Sequence, residues 1–141
     1  LERQYKAIKL LKSEVKKLEL GQVDLRDLVV KRRISKPLDQ FRVASLAYCA
    51  MLRNHMNGNT CNPGSKVKFV VVNDDAKIDH ERVILDEEIG FEQNKHKRGD
   101  FDYYRTLAIR AIWSVLAPFG WDEEEISQYS KRKALVEFTH S

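Results

Sequence analysis

The strongest constraint on the fold is an apolar stripe near the start of the chain, within residues 3–19. Its members recur at three- and four-residue intervals, which places them on one face of an α-helix: Ile8, Leu11, Val15 and Leu18. Lysines occupy much of the remaining surface, which we interpret as solvated. Gly21 follows at the position where helices commonly end. The pattern predicts an amphipathic helix over residues 3–19.

A second long helix is predicted over Tyr103–Leu116. Apolar residues lie nearly all round it, which predicts a central position in the fold. Pro118-Phe119-Gly120 ends this helix. Asp122 is then the expected N-cap of a further helix, with acidic residues in its first turn at Glu123–Glu125.

The middle of the chain alternates between strand and helix patterns. Lys66–Val72 is the best strand, Arg82–Leu85 is a shorter one, and a short helix before Leu28–Val30 leads into a third. Ala44–Met56 is a helix rich in Ala, Leu and Met. We therefore predict an α+β, predominantly helical fold, with long helices packed around a small β-sheet. With no internal repeat or linker, residues 1–141 are predicted to form a single domain.

Composition excludes several classes of protein. The chain is 43% hydrophobic and 33% charged, and no apolar run approaches the roughly 18 residues that a membrane span needs. Two cysteines, Cys49 and Cys61, form no disulfide framework, and Cys49 is expected in the core. We expect a cytoplasmic, reducing compartment. The first residues form no signal peptide and include no initiator Met, so we expect further sequence upstream.

Acidic residues do not form a convincing catalytic site. The Asp74-Asp75 pair lies in a turn, where aspartates commonly serve local hydrogen bonding. The clusters Asp86-Glu87-Glu88 and Asp122–Glu125 are interpreted as solvated faces or helix starts. Phosphate-binding glycine loops and serine-nucleophile motifs are absent. We predict no catalytic residue, metal site or cofactor in this chain; an independent enzyme such as a metal-dependent nuclease is the less favoured alternative.

Three basic clusters remain: Lys31-Arg32-Arg33 with Lys36, Lys95-His96-Lys97-Arg98, and Lys131-Arg132-Lys133. Each lies beside hydroxyl donors. Such mixtures contact phosphate oxygens without reading base identity. Taken singly, each cluster is better interpreted as a solvated surface. If about six of these residues neutralise phosphates, the logarithm of the binding constant should fall with that of salt at a slope of about −5.

Several segments, in order, resemble the C-terminal thumb of archaeal-type family-B DNA polymerases. They are Val23–Val30, Ile34–Phe41, Asn62–Val71, Lys95-His96-Lys97, Asp102-Tyr103-Tyr104 and Phe119-Gly120-Trp121. The resemblance covers about residues 20 to 135. It departs from the family at Leu46-Ala47-Tyr48, where a His-Val pair is common, and by a one-residue shift at the tyrosine pair.

The resemblance implies a set of contacts to duplex DNA. The thumb would meet the duplex backbone at Arg33, Ser35, Lys36 and Leu38. A second contact zone would comprise Lys95, His96, Lys97, Tyr103 and Tyr104. A third, near the family's C-terminus, would comprise Tyr129, Lys131, Arg132 and Lys133. We expect Lys36, Lys97 and Arg132 to converge on one concave surface.

The implied function is a sequence-independent grip on primer–template duplex, as part of a DNA-directed DNA polymerase associated with the nucleoid. The family's palm carboxylates, with their Mg²⁺, would lie in a part absent from this chain. The chain would be a fragment or the small partner of a split polymerase. Residues 132–141 resemble a degenerate sliding-clamp motif, with Leu135 and Phe138 in place, or alternatively form a frayed end. The alternative function is an assembly module that binds the remaining polymerase chain or a clamp.

Overall fold

The computed structural model describes residues 1–131, in which four α-helices and a three-stranded antiparallel sheet are linked by short 3₁₀ turns. In chain order the elements are α1 (Glu2–Glu19), β1 (Val30–Arg33), α2 (Leu46–Met56), β2 (Lys66–Val71), β3 (Val83–Leu85), α3 (Phe101–Leu116) and α4 (Glu123–Lys131). The predicted helix-rich α+β class is confirmed. Within residues 1–131, every helix is too short or too polar to cross a membrane.

The contacts within the chain divide it into two compact units. Among the described residues, one contains Leu1–Gln22 and residues 101–131, and the other contains Val23–Asp100. The first unit therefore joins segments that are distant in sequence, whereas the second is continuous. The prediction of a single domain over residues 1–141 stays a prediction.

Three helices, α1, α3 and α4, form the first unit around one apolar core. Its buried residues are Ile8, Leu11, Val15, Ile109, Leu116 and Ile126. Three of them belong to the apolar stripe that predicted α1, so the stripe marks the packed face. Fully burying one such aliphatic side chain contributes roughly 1.5–3 kcal/mol, which makes this face the main reason that α1 is stable.

Helix α3 does not have the central position that its apolar composition predicted. Only Tyr104, Ile109 and Leu116 are buried along it. Val115 keeps 59% of its surface exposed, and Trp113 keeps 38%. Because α1 and α4 are the two other helices of this unit, they cover one side of α3 and leave the opposite side uncovered within residues 1–131.

The ends of α1 and α4 follow local sequence rules. Gly21 has a left-handed φ of 67° and its amide donates to the Leu18 carbonyl, as a helix-terminating glycine should. At the start of α4, the Asp122 carboxylate accepts from the Glu125 amide at 2.7 Å. The Glu125 carboxylate in turn accepts from the Asp122 amide at 3.2 Å, which completes a reciprocal capping arrangement.

The sheet of the second unit has the strand order β1-β2-β3. Strand β2 lies at its centre and matches the predicted Lys66–Val72 within one residue. The predicted strand, Leu28–Val30, lies too early in the sequence. Leu25–Leu28 form a 3₁₀ turn, and β1 begins only at Val30. The strand starts late because the Asp24 carboxylate accepts a hydrogen bond from the Arg26 amide and so stabilises the turn before it. Lys31, Arg32 and Arg33 of the first basic cluster consequently lie in β1, and Lys36 follows its end.

Helix α2 packs on this sheet and supplies Cys49, Ala50 and Met51 to its core. Cys49 has no exposed surface, which confirms its predicted place in the core. Burial raises the pKa of its thiol, although the nearby Arg82 guanidinium opposes the shift. A neutral, buried thiol of this kind acts as a small apolar residue.

One acidic residue overturns the interpretation of the Asp86-Glu87-Glu88 cluster as a solvated face. Glu88 is only 3% exposed. Its carboxylate forms an ion pair with Arg53 of α2 and accepts from the Leu85 amide at 2.8 Å. Asp74 was assigned to a turn, and there its carboxylate is paired with Arg82 at 2.6 Å. Both carboxylates therefore have structural partners inside the second unit.

Candidate nucleic-acid interface

The first predicted contact zone lies where β1 ends. Arg33 and Ser35 are exposed, and Ile34 between them is buried. The Lys36 ammonium nitrogen lies 5.0 Å from the centroid of the Phe41 ring, a distance at which a cation is attracted to the ring face. Leu38 is half-buried and begins a 3₁₀ turn directly after Pro37. The zone thus offers one exposed guanidinium, one hydroxyl and one ammonium group positioned by an aromatic ring.

Backbone hydrogen bonds join this zone to the second family-like segment. The Ile34 amide donates to the Ser65 carbonyl at 2.8 Å, and the Gly64 amide donates to the Ile34 carbonyl at 2.8 Å. Gly64 has a φ of 91°, which a residue with a side chain rarely adopts. The two motifs, distant in sequence, are therefore neighbours in the structure.

The second predicted zone is an irregular segment anchored by Asn94. This side chain is 1% exposed and donates to the Glu88 carbonyl at 2.9 Å. Lys95 forms an exposed ion pair with Glu92. His96 and Lys97 are exposed, and Lys97 lines an open pocket together with Arg98 and His80. Buried anchoring of Asn94 places these cations at the surface of the second unit.

The tyrosines of the predicted interface belong to the first unit and are mostly engaged in packing. Tyr104 is 6% exposed and meets Tyr103 edge to face, with ring centroids 5.0 Å apart. Tyr129 is half-buried, with its ring centroid 5.5 Å from that of Trp121. Lys131, the last residue of α4, is exposed. A direct contact by Tyr104 would require it to leave this packing.

Four predicted site residues, Arg132, Lys133, Leu135 and Phe138, lie outside the described residues. The predicted convergence of Lys36, Lys97 and Arg132 on one surface accordingly stays a prediction. So does the assignment of residues 132–141 to a clamp-binding tail.

Acidic, histidine and cysteine side chains are the ones that could hold a metal ion. In the part of the chain that the structure describes, no three such side chains come close enough together to hold a metal ion. Glu88, the most buried of the described carboxylates, and the partly exposed Asp74 are already paired with arginines. The Mg²⁺ that the family resemblance implies for a palm outside this chain stays a prediction.

Sequence reasoning missed two lysines of β2. Lys66 and Lys68 are exposed and lie directly opposite Arg33 and Lys31 of β1. Their alternation with the buried Val67 was visible in the sequence and indicated that they share a face. The strand that lies opposite them could not be identified from the sequence, because register depends on distant pairing.

Comparison with known proteins gives concordant results. The family model described as DNA polymerase family B matches residues 2–119. A DNA polymerase of Thermococcus aggregans is 26% identical over 129 residues, which are 91% of this chain and 7% of that protein. A DNA polymerase of Pyrococcus glycovorans is 26% identical over 131 residues, covering 92% of this chain and 16% of that protein. The chain thus spans a small part of the curated relatives it matches.

A solved structure supports the same fold. The family B DNA polymerase from the hyperthermophilic archaeon Pyrobaculum calidifontis superposes with a TM-score of 0.62 at 23% sequence identity. The match covers 82% of this chain and 15% of that one. At this identity the likeness concerns the fold.

Proposed function

This chain belongs to DNA polymerase family B, and on that premise we propose that it is the polymerase thumb, which grips primer–template duplex DNA independently of sequence. The whole polymerase would be a cytoplasmic, nucleoid-associated enzyme of DNA replication or repair. Its nucleotidyl transfer and its Mg²⁺ belong, in this proposal, to a palm outside this chain.

The observation that carries the proposal is the family match over residues 2–119, which includes two of the three basic clusters. Three cations of these clusters are exposed and form no ion pair within residues 1–131: Arg33, Lys97 and Arg98. Cations without an acidic partner are available to phosphate oxygens, whose contacts carry no base information. Sequence independence is what a polymerase needs, since it must hold every product equally well.

The thumb would contribute to catalysis by position. Holding the duplex keeps the primer end close to a distant reaction centre, which raises its effective concentration there. It also delays dissociation between successive additions, so the expected benefit is processivity. The thumb itself would transfer no phosphoryl group.

The test is duplex binding by the full chain, measured by fluorescence anisotropy of a labelled primer–template across a salt series. We expect the double variant Lys36→Glu/Lys97→Glu to bind at least about tenfold more weakly. The salt slope should flatten by about 2, because each lost phosphate contact removes roughly 0.9. A matched control is Lys6→Glu/Lys9→Glu, which makes the same charge change on exposed positions of α1.

The control should lose much less affinity than the test variant. Equal losses in both variants would mean that net charge alone determines binding. Unchanged affinity in Lys36→Glu/Lys97→Glu would remove both lysines from the interface. In either case the proposed grip at these positions would be wrong.

A second candidate function is an assembly module that binds the remaining polymerase chain or a sliding clamp. One observation favours it: four apolar residues at four-residue spacing are exposed on α3 and the turn after it, namely Leu107, Ala111, Val115 and Phe119. Exposed apolar stripes of this kind commonly mark protein contacts. The same titration separates the two functions, since a folded chain that fails to bind duplex even at low salt would favour assembly.

A further inference from the structure

Across the four residue pairs that join β1 to β2, one face carries only cations, whereas Val70, further along that face of β2, is buried. In the register of the sheet, Lys31 lies opposite Lys68, and Arg33 lies opposite Lys66. Directly opposed residues of antiparallel strands project to the same side. All four side chains are exposed. We call these four residues the cationic ladder.

The other face of the same strands packs into the core. Val30 is paired with Phe69, and both are buried. Ile34, just after β1, is also buried. Because side chains alternate along a strand, burial of these residues points the ladder to the outside of the second unit.

Like charges face each other within the ladder without neutralisation. Like charges on directly opposed residues of antiparallel strands destabilise the pairing. Within residues 1–131, none of the four side chains forms an ion pair. Asp86 and Glu87 line a shallow pocket with Lys66 and Lys68, yet neither carboxylate pairs with them. An anion bound on the ladder would relieve this repulsion.

The chemistry around the ladder favours phosphate over an acidic protein surface. Ser35 is exposed just after Arg33, where its hydroxyl group adds to the charged donors, whereas the Ser65 hydroxyl already donates to the Asn62 carbonyl at 2.6 Å. Mixed cationic and hydroxyl donors are typical of contacts to nucleic-acid backbones. The centre of a protein interface is by contrast apolar, and none of the four ladder positions is apolar.

We propose that the cationic ladder binds the phosphate backbone of one nucleic-acid strand. Its two rungs lie about 6.7 Å apart, two residues along each strand. That is about twice the 3.4 Å axial spacing of phosphates in one DNA strand, so the ladder covers two or three phosphates. The inference rests on the proposed function for the class of partner. It adds Lys31, Lys66 and Lys68 to the contacts that the family resemblance implies.

The test reverses charge on one side of the ladder, with Lys66→Glu/Lys68→Glu in the full chain. The new glutamates face Arg33 and Lys31, and this cross-strand attraction offsets their repulsion from the nearby Asp86 and Glu87, so the variant should still fold. Thermal unfolding checks this point. Lys6→Glu/Lys9→Glu is again the matched control, because it makes the same change of net charge.

Binding is measured by anisotropy across a salt series in two arms, a labelled duplex and a labelled single strand. We expect the ladder variant to lose at least about tenfold in affinity, with a slope flatter by about 2 for duplex or about 1.4 for a single strand. Loss in the duplex arm alone would assign the ladder to duplex DNA. Loss in both arms would assign it to a strand backbone in either form.

The experiment can contradict the ladder proposal without contradicting the proposed thumb function. Suppose that Lys36→Glu/Lys97→Glu loses duplex affinity while the ladder variant binds like the wild type in both arms. The proposal that the ladder binds phosphates would then be wrong, and the proposed thumb function would remain supported. A loss no larger than that of the matched control would likewise overturn the ladder. If the folded wild type binds neither duplex nor single strand at low salt, the proposed thumb function and the proposed phosphate binding by the ladder are both wrong.

Discussion

Glu88 is the residue whose environment departs most from what its neighbours in the sequence suggest. Burial raises the pKa of its carboxyl, but hydrogen bonds from Arg53 and the Leu85 amide, together with the Arg53 charge, outweigh burial and lower it. Arg53 also donates to the His80 carbonyl at 3.0 Å, and so joins α2 to the turn before β3. The pair therefore holds several segments of the second unit together.

The lowered pKa predicts how stability depends on pH. A carboxyl whose folded pKa lies below its unfolded pKa, about 4.3 for Glu, stabilises the fold above that value. This contribution is lost as pH falls through the folded pKa. We expect Glu88→Gln to be less stable by about 3–5 kcal/mol at neutral pH, because Arg53 loses its buried partner. The variant's stability should also fall less steeply between neutral pH and about pH 3 than that of the wild type.

Urea denaturation at a series of pH values measures both effects. Glu87→Gln is the matched control, since Glu87 is the exposed neighbour and forms no ion pair within residues 1–131. Identical pH profiles for Glu88→Gln and the wild type would contradict the assigned role of the Arg53–Glu88 pair.

At the scale of elements, α4 depends on its first turn. Ile126 is the one apolar residue that α4 buries, whereas α1 buries Ile8, Leu11 and Val15, so packing stabilises α4 less than it stabilises α1. The reciprocal bonds between Asp122 and Glu125 satisfy amides that would otherwise lack partners at the helix start. Acidic side chains in the first turn also interact favourably with the helix dipole.

We expect Asp122→Ala to destabilise the fold by about 1 kcal/mol, the usual cost of losing an N-cap acceptor. Asp122→Asn keeps an oxygen acceptor at the same place and should recover most of that loss. Denaturant unfolding followed by circular dichroism compares the two. If Asn is as harmful as Ala, the side-chain acceptor is not what stabilises this helix start.

At the scale of the whole molecule, charge distribution matters more than net charge. The sequence carries 25 Lys and Arg against 21 Asp and Glu, a formal net charge of only +4. So small an excess attracts DNA weakly by itself, whereas local clusters release counterions wherever they meet phosphates. The slope of the binding constant against salt concentration therefore measures how many cationic residues contact phosphates.

Ending the chain after Lys131 tests the third cluster. If Arg132 and Lys133 contact phosphates, the truncated chain should bind duplex with a salt slope flatter by about 2. The full chain with Arg132→Ala/Lys133→Ala should behave alike, since it removes the same charges and keeps the tail. A truncated chain with the wild-type slope would exclude this cluster from the interface.

The sequence by itself determined the features that depend on neighbouring residues. The apolar stripe of α1, the capping residues of α4 and the alternation in β2 are short-range patterns, and the structure confirms each of them. The ordered family motifs are equally local, and the match over residues 2–119 confirms the family they indicated.

Only the tertiary structure decided what depends on residues far apart in the chain. The exposed side of α3 follows from how many helices pack on it, which its own composition does not contain. Burial of Glu88 requires Arg53, 35 residues earlier in the sequence. The cationic ladder exists because antiparallel register sets Lys31 against Lys68 and Arg33 against Lys66. A shift of one residue would have turned the lysines of β2 to the other face, and that choice is made by the packing of the whole core.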